Sequence, residues 1–109
     1  MEMKSGRLLR IFLAESDQHD GRPLYEWIAH AALEQGLAGT TVLRGMLGFG
    51  VRQELHSAKI LRLSQDLPLV LEIVDTQKKI EAFLPYLEGV IESGLVTLEQ
   101  VRYCEIGGS

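Results

Sequence analysis

Residues 40–53 read Thr40-Thr41-Val42-Leu43-Arg44-Gly45-Met46-Leu47-Gly48-Phe49-Gly50-Val51-Arg52-Gln53. The first half has the β-branched and apolar residues typical of a strand, and the second half replaces that pattern with glycines and polar or basic side chains. A glycine inside a strand packs no side chain, so Gly45, Gly48 and Gly50 indicate a bulge, a sharp exit from a sheet, or a close approach of the backbone to another group. We interpret the stretch as a ligand-binding or partner-binding loop; the alternative is a β-bulge followed by a turn.

One strand and one helix are predicted before this stretch. Residues 7–15 are almost continuously apolar, which indicates a strand covered on both faces. Pro23 suits the first turn of a helix because its φ is fixed and it lacks a donor, so the helix is predicted to begin at residue 22 or 23. Apolar side chains recur along it at spacings of three and four, and Gly36 can adopt the left-handed conformation that ends a helix.

A strand and a second helix are predicted after the stretch. Residues 69–74 form the clearest strand in the sequence, and either Asp75 or Thr76 can cap the helix that follows. That helix carries one apolar stripe, made of Ile80, Phe83, Leu84, Leu87 and Ile91. Pro85 lies inside it and predicts a kink or a helix in two pieces, because its ring clashes with the preceding turn. Gly94 is predicted to close the helix.

The order of these elements predicts the fold. The second strand runs from Thr40 to about Leu47 and the last from Val96 to Glu105, which gives the order βαββαβ. Right-handed crossovers then place both helices on one face of a four-stranded antiparallel sheet, the ferredoxin-like arrangement of the α+β class. The other face is left uncovered although two strands are apolar on both sides, so we expect it to be buried in an oligomer. We predict a single domain over residues 1–109 with its core at about 7–105.

Composition excludes several classes of function. The chain has 109 residues, a net charge of −4 and a hydrophobic fraction of 46%, as in an ordinary globular domain. Because binding to long nucleic acids needs clustered basic residues, we predict no nucleic-acid partner. No apolar run approaches membrane-spanning length, so we predict no direct insertion into a membrane. The single cysteine, Cys104, cannot form an intramolecular disulfide, which predicts a cytoplasmic location.

No pattern indicates catalysis or a metal centre. His19 and His56 each lie near acidic residues, but neither has a spacing typical of zinc ligands. No nucleophile has a base and an orienting partner in its sequence context, and a hydrolase or isomerase would have only Glu54, His56 and Asp66 as candidate titratable groups. We therefore predict no enzymatic activity, no metal and no obligatory cofactor.

Basic residues accompany the glycines. Arg44, Arg52, Lys59 and Arg62 fall within one short window of an otherwise acidic chain. Successive backbone amides without side-chain bulk can form an anion-binding concavity, and Arg44 or Arg52 could neutralise a phosphate through paired donors. The alternative is a solvated loop with scattered charges.

Several of these motifs resemble a known family. The run Gly48-Phe49-Gly50-Val51-Arg52-Gln53 is similar to the entry of the long T-loop of PII signalling proteins, with Val51 as an insertion. The other matching motifs are Gly39-Thr40-Thr41-Val42, Arg44-Gly45, His56-Ser57, Asp66-Leu67-Pro68 and Gly94-Leu95-Val96. Together they resemble a small family of PII-like proteins catalogued as a domain of unknown function, and the resemblance spans about residues 8–104.

This resemblance implies a homotrimer of ferredoxin-like subunits whose sheets face inward. It also implies that a small anionic metabolite, an adenine nucleotide acting as an effector, binds in the clefts between subunits. The T-loop-like segment at about 48–66 would change shape and so regulate a partner such as a membrane transporter or channel. The predicted ligand-binding residues are Arg44, Gly45, Gly48, Phe49, Gly50, Arg52, Gln53 and, from a neighbouring subunit, Arg102.

The sequence departs from PII proteins before the final strand. Residues 92–97 lack the glycine-rich phosphate cradle and the lysine found there in PII proteins, so Arg44 and Arg52 are expected to supply more of the phosphate binding. The alternative function is that of a structural or ion-handling trimer like the CutA proteins, which share the architecture but have no nucleotide-sensing role. In that case the 48–66 segment would be a rigid clasp between subunits.

Overall fold

The computed structural model describes residues 1–48, 56–57 and 66–107 of the chain. Its main elements are β1 (Lys4–Ala14), α1 (Leu24–Glu34), β2 (Thr41–Arg44), β3 (Pro68–Asp75), α2 (Gln77–Glu88) and β4 (Leu95–Tyr103). The four strands form one antiparallel sheet in the order β2-β3-β1-β4. This is the predicted α+β, ferredoxin-like fold, which is confirmed.

The alternation of side chains along β1 determines where the core lies. Leu9, Ile11 and Leu13 are buried and pack with residues of both helices. The residues opposite them in β3 are Ile73, Leu71 and Leu69, which are also buried. Because directly opposed residues of an antiparallel pair share a face, these positions form one apolar surface under the helices. The helices cover one face of β1, and the prediction that its other face is buried in an oligomer stays a prediction.

Helix α1 ends as predicted but begins slightly later. Its first residue is Leu24, because Pro23 has an extended ψ of 130° and pairs with Gln18 in a two-residue ladder. Gly36 has a φ of +76°, and the amides of Gly36 and Leu37 donate to the carbonyls of Leu33 and Ala32. These two bonds are the Schellman motif, which satisfies carbonyls at the end of the helix.

Helix α2 is shorter than predicted. Thr76 caps it by accepting from the Lys79 amide at 3.3 Å, as one of the two predicted caps. The helix is continuous through Pro85, which excludes two pieces, one of the two predicted outcomes, and it ends at Glu88 rather than near Gly94. Ile91 lies beyond the helix yet still packs on the core, which explains why its side chain fitted the apolar stripe.

Asp75, the other predicted cap, has a different role. Its side chain is only 5% exposed, and its Oδ2 accepts from the amide of Ala38 at 2.9 Å while its Oδ1 accepts from Thr76 at 2.7 Å. A buried carboxylate is tolerated when such donors satisfy it. Asp75 therefore links the connection after α1 to the junction between β3 and α2 through hydrogen bonds.

Replacing Asp75 with alanine should lower the free energy of unfolding by about 2–3 kcal/mol, because two amides lose a charged acceptor. Urea denaturation measures this loss. Asp75→Asn, which keeps one acceptor oxygen, should fall between alanine and the unmodified protein. The control is Glu34→Ala at an exposed position of α1, which should stay within about 0.5 kcal/mol. An Asp75→Ala variant as stable as this control would contradict the prediction.

Candidate functional site

The candidate site lies at the end of the sheet where β2 stops. The Gly45 amide donates to the Pro68 carbonyl at 2.7 Å, and the Glu15 amide donates to the Leu67 carbonyl at 2.9 Å. These bonds hold the end of β1, the end of β2 and the start of β3 together. The 48–66 segment consequently leaves and rejoins the sheet at one place.

The position of Pro68 explains why glycine occupies both positions 45 and 48 of the site. A Cβ on Gly45 would lie 2.9 Å from the Pro68 Cγ, and one on Gly48 would lie 3.3 Å from the same atom. β2 ends at Arg44, so Gly45 is the strand irregularity that its position in the sequence suggested. The absence of a side chain at Gly45 therefore permits the close approach of Pro68, a residue of the same chain.

A short ladder continues the chain past this break. Leu47 and Gly48 pair antiparallel with Ser57 and His56, respectively. This pairing could not be predicted from the sequence, because two-residue strands leave no periodic pattern. Four predicted ligand-binding residues, Phe49, Gly50, Arg52 and Gln53, lie outside the described residues.

Arg44 is the charged group of the described site. Its side chain is 57% exposed, and its Nη2 forms an ion pair with Oε2 of Glu15, whose side chain is only 16% exposed. The other oxygen of that carboxylate, Oε1, is buried and has no hydrogen-bond partner among the described residues. Sequence reasoning missed Glu15; the one available signal was a carboxylate placed directly after the apolar run of β1.

Arg102, another predicted ligand-binding residue, is not part of this cluster. It lies opposite Ser5, near the start of β1, whereas Arg44 is aligned through Leu69 with Leu13, near the end of β1. These two positions on β1 are eight residues apart, which corresponds to about 26 Å along the strand. Within one chain the structure therefore brings together Arg44, Gly45 and Gly48 but not Arg102.

The connection before β4 contains a glycine required for packing. A Cβ on Gly94 would lie 2.8 Å from the backbone oxygen of Phe12 and 3.2 Å from the Ile91 Cγ2. Beside it an open groove of about 300 Å³ is lined by Leu84, Leu87, Glu88, Ile91, Gly94 and Val96. Gly94 thus lets the connection lie against β1.

The sheet face opposite the helices has one apolar row across all four strands. Leu43, Val70, Phe12 and Leu95 lie side by side in β2, β3, β1 and β4, respectively. Leu43 is 48% exposed and Leu95 is 54% exposed. No described element of the chain covers this row, which we call the open-face row.

Charges occupy the same face next to the open-face row. The Arg10 Nε donates to Glu72 at 2.8 Å, and its Nη1 donates to Glu99 at 2.6 Å. The hydrogen bond to Glu72 raises the pKa of Arg10 above its ordinary value, with the nearby charge of Glu99 adding to the effect. Arg10 therefore stays protonated, and its charge is matched within the chain.

The described residues show neither a metal centre nor a membrane-spanning helix. Across residues 1–48 and 66–107 no cluster of three or more His, Cys, Asp and Glu side chains is placed to hold a metal ion. Neither described helix has the length and apolar character needed to cross a membrane.

The fold is similar to that of solved PII-like proteins. The structure of CPII from Thiomonas intermedia K12 bound to ADP and bicarbonate matches with a TM-score of 0.70 at 16% identity, over 94% of this chain and 91% of that chain. CPII bound to ADP, AMP and acetate matches with a TM-score of 0.69 at 14% identity, over 96% and 94% of the two chains. At such identities the likeness establishes the fold.

Sequence relatives identify the family. The chain belongs to the DUF190 family, "Uncharacterized ACR, COG1993", whose model matches residues 6–103. A UPF0166 protein of Aquifex aeolicus (strain VF5) is 40% identical over 102 residues, which are 94% of this chain and 96% of the relative. A UPF0166 protein of Methanocaldococcus jannaschii is 36% identical over 97 residues, which are 88% of this chain and 89% of the relative.

Gly94→Ala should destabilise the fold by about 1–3 kcal/mol, because the new methyl group must displace backbone of β1 rather than a flexible side chain. Chemical denaturation provides the measurement. Gly89→Ala is the matched control, since a Cβ there meets nothing within 4 Å and the residue has a φ of −82°. Equal stability of the two variants would show that Gly94 is not constrained by packing.

Proposed function

We propose that this chain is a PII-like regulatory protein of the cytoplasm that assembles as a homotrimer. An adenine nucleotide binds in the cleft between subunits, at the base of the 48–66 segment. Nucleotide binding changes that segment and so regulates a partner, a membrane transporter or channel. The predicted ligand-binding residues, including those outside the described part, stay part of this proposal.

The observation that carries the proposal is the convergence at the end of the sheet. Arg44, Gly45 and Gly48 lie where both ends of the 48–66 segment meet, and the Arg44 guanidinium is more than half exposed. A planar guanidinium of this kind suits phosphate, because it can donate two parallel hydrogen bonds. The shared fold of CPII, which was solved with ADP, supports an adenine nucleotide as the ligand.

The open-face row supports assembly of the chain with copies of itself. A continuous apolar row across four strands is costly to expose to water. Next to the row, the one positive charge of Arg10 is paired within the chain with both Glu72 and Glu99, and the group keeps a net charge of −1. Arg10 therefore needs no acidic partner from another copy. In the proposed homotrimer Arg102, which lies far from Arg44 along its own sheet, belongs to the site of a neighbouring subunit.

Leu43→Asp should convert the trimer to monomers, because burial of an unpaired carboxylate in each interface costs several kcal/mol. Native mass spectrometry and analytical ultracentrifugation measure the assembly. Val42→Asp is the matched control: Val42 precedes Leu43, is 38% exposed and lies on the opposite face, so this variant should remain trimeric. An unmodified chain that is monomeric at micromolar concentration would refute the assembly.

Nucleotide binding is tested by calorimetry with AMP, ADP, ATP and cyclic nucleotides, with and without divalent cations. At least one should bind, and Arg44→Ala should weaken it tenfold or more, since a hydrogen bond to a charged group contributes about 1.5–3 kcal/mol. Lys78→Ala, which removes an exposed positive charge from α2, is the control and should leave affinity unchanged.

The outcome that contradicts this function is also defined. If no nucleotide binds the assembled protein, the nucleotide-sensing role is refuted. Hydrogen exchange, measured with and without nucleotides, separates regulation from the CutA-like alternative. A protected 51–66 segment whose exchange is unchanged by nucleotides would favour a clasp between subunits, whereas exchange that changes on binding would favour regulation.

A further inference from the structure

We propose that Glu15 is an internal competitor for the anion that Arg44 binds. The Glu15 carboxylate occupies Arg44 in the free protein, and a phosphate group of the ligand must displace it. This inference rests on the proposed function and adds a residue that regulates the affinity of the same site.

The imperfect pairing of Glu15 is the first argument. Only Oε2 of the carboxylate contacts Arg44, and the buried Oε1 has no partner in the described structure. A buried polar atom without a hydrogen bond is costly, so this carboxylate does not gain the full benefit of its burial. The pair is consequently weaker than a two-point contact between a guanidinium and a phosphate.

The positions of the two side chains are the second argument. The Glu15 backbone is held by its bond to Leu67, and the chain beside Arg44 is held by the bond from Gly45 to Pro68. The Arg44 guanidinium, however, is largely exposed, whereas Glu15 is mostly buried. Displacement therefore requires movement of an exposed arginine side chain and no change in the sheet.

The consequence for binding follows from a population argument. While Arg44 is paired with Glu15, only the fraction of molecules with a free guanidinium is competent for the anion, and the apparent affinity is reduced by that fraction. The apparent affinity is lowered by the same factor for every ligand that binds through Arg44. Adenosine, which has no phosphate, is not affected. Glu15 thus lowers the affinity of the site for phosphorylated ligands and leaves its affinity for adenosine unchanged.

The test is the variant Glu15→Gln, which keeps the size of the side chain and removes its charge. Affinity for AMP, ADP and ATP should rise about twofold to fivefold, as expected for the loss of a partly exposed ion pair worth up to about 1 kcal/mol. Damage to the site would instead weaken binding. Adenosine affinity should not change. Glu34→Gln, an equal change of net charge at the end of α1, should leave all affinities unchanged.

A double-mutant cycle with Arg44→Ala decides whether the effect passes through the pair. The gain from Glu15→Gln should disappear in the Arg44→Ala background. A gain of the same size in both backgrounds would refute the inference, because it would reflect general repulsion of anions by Glu15. Unchanged or weaker nucleotide binding by Glu15→Gln alone would refute it while leaving the proposed function intact.

Inorganic pyrophosphate serves as a second probe if no variant binds a nucleotide. Tighter pyrophosphate binding by Glu15→Gln than by the unmodified protein, lost with Arg44→Ala, would support the competition although the nucleotide function had failed. Equal pyrophosphate binding by the unmodified protein and Glu15→Gln would refute the competition.

Discussion

The antiparallel pairing of β1 with both β3 and β4 is the constraint on which the rest of the structure depends. Because β1 is hydrogen-bonded along both edges, its register fixes which residues of every strand face the helices. A shift by one residue would place Arg10 under the helices and Leu9 on the open face. The ion pairs of Arg10 with Glu72 and Glu99 oppose that shift, since they form only on the uncovered side.

The same register determines the positions of the residues in the candidate site. The end of β1 places Glu15 beside the start of β3, and β3 in turn aligns β2 so that Arg44 reaches the Glu15 carboxylate. Arg102 lies opposite Ser5, at the other end of β1, and is therefore far from this point.

Local signals allowed much of the fold to be predicted. Gly36 ends α1 with a positive φ and Thr76 caps α2, because each role depends on the residue itself and its nearest neighbours. The predicted end of α2 was wrong because Ile91 packs on the core from outside the helix. The apolar spacing therefore continues past the last helical turn. Sequence periodicity does not distinguish a helical residue from one that is buried by the following turn.

The site was predictable only in part, since its contacts join residues that are distant in sequence. Arg44 and the glycines stood out by type and spacing, but the pairing with Glu15 spans 29 positions and required the sheet order to be known. Asp75 was recognised as a cap candidate, yet its bond to Ala38 could not be foreseen from either end. Residues such as Gly94 are ambiguous in sequence, because packing against backbone and binding of an anion both require glycine.

The bonds from Glu15 to Leu67 and from Gly45 to Pro68 have a consequence for how this sequence can vary. They close the sheet before the 48–66 segment begins and after it returns, so the sheet does not depend on what lies between. Doubling the length of a closed flexible loop costs only about 0.6 kcal/mol of entropy. The length and composition of the segment can therefore change at little cost in stability to the sheet that presents it.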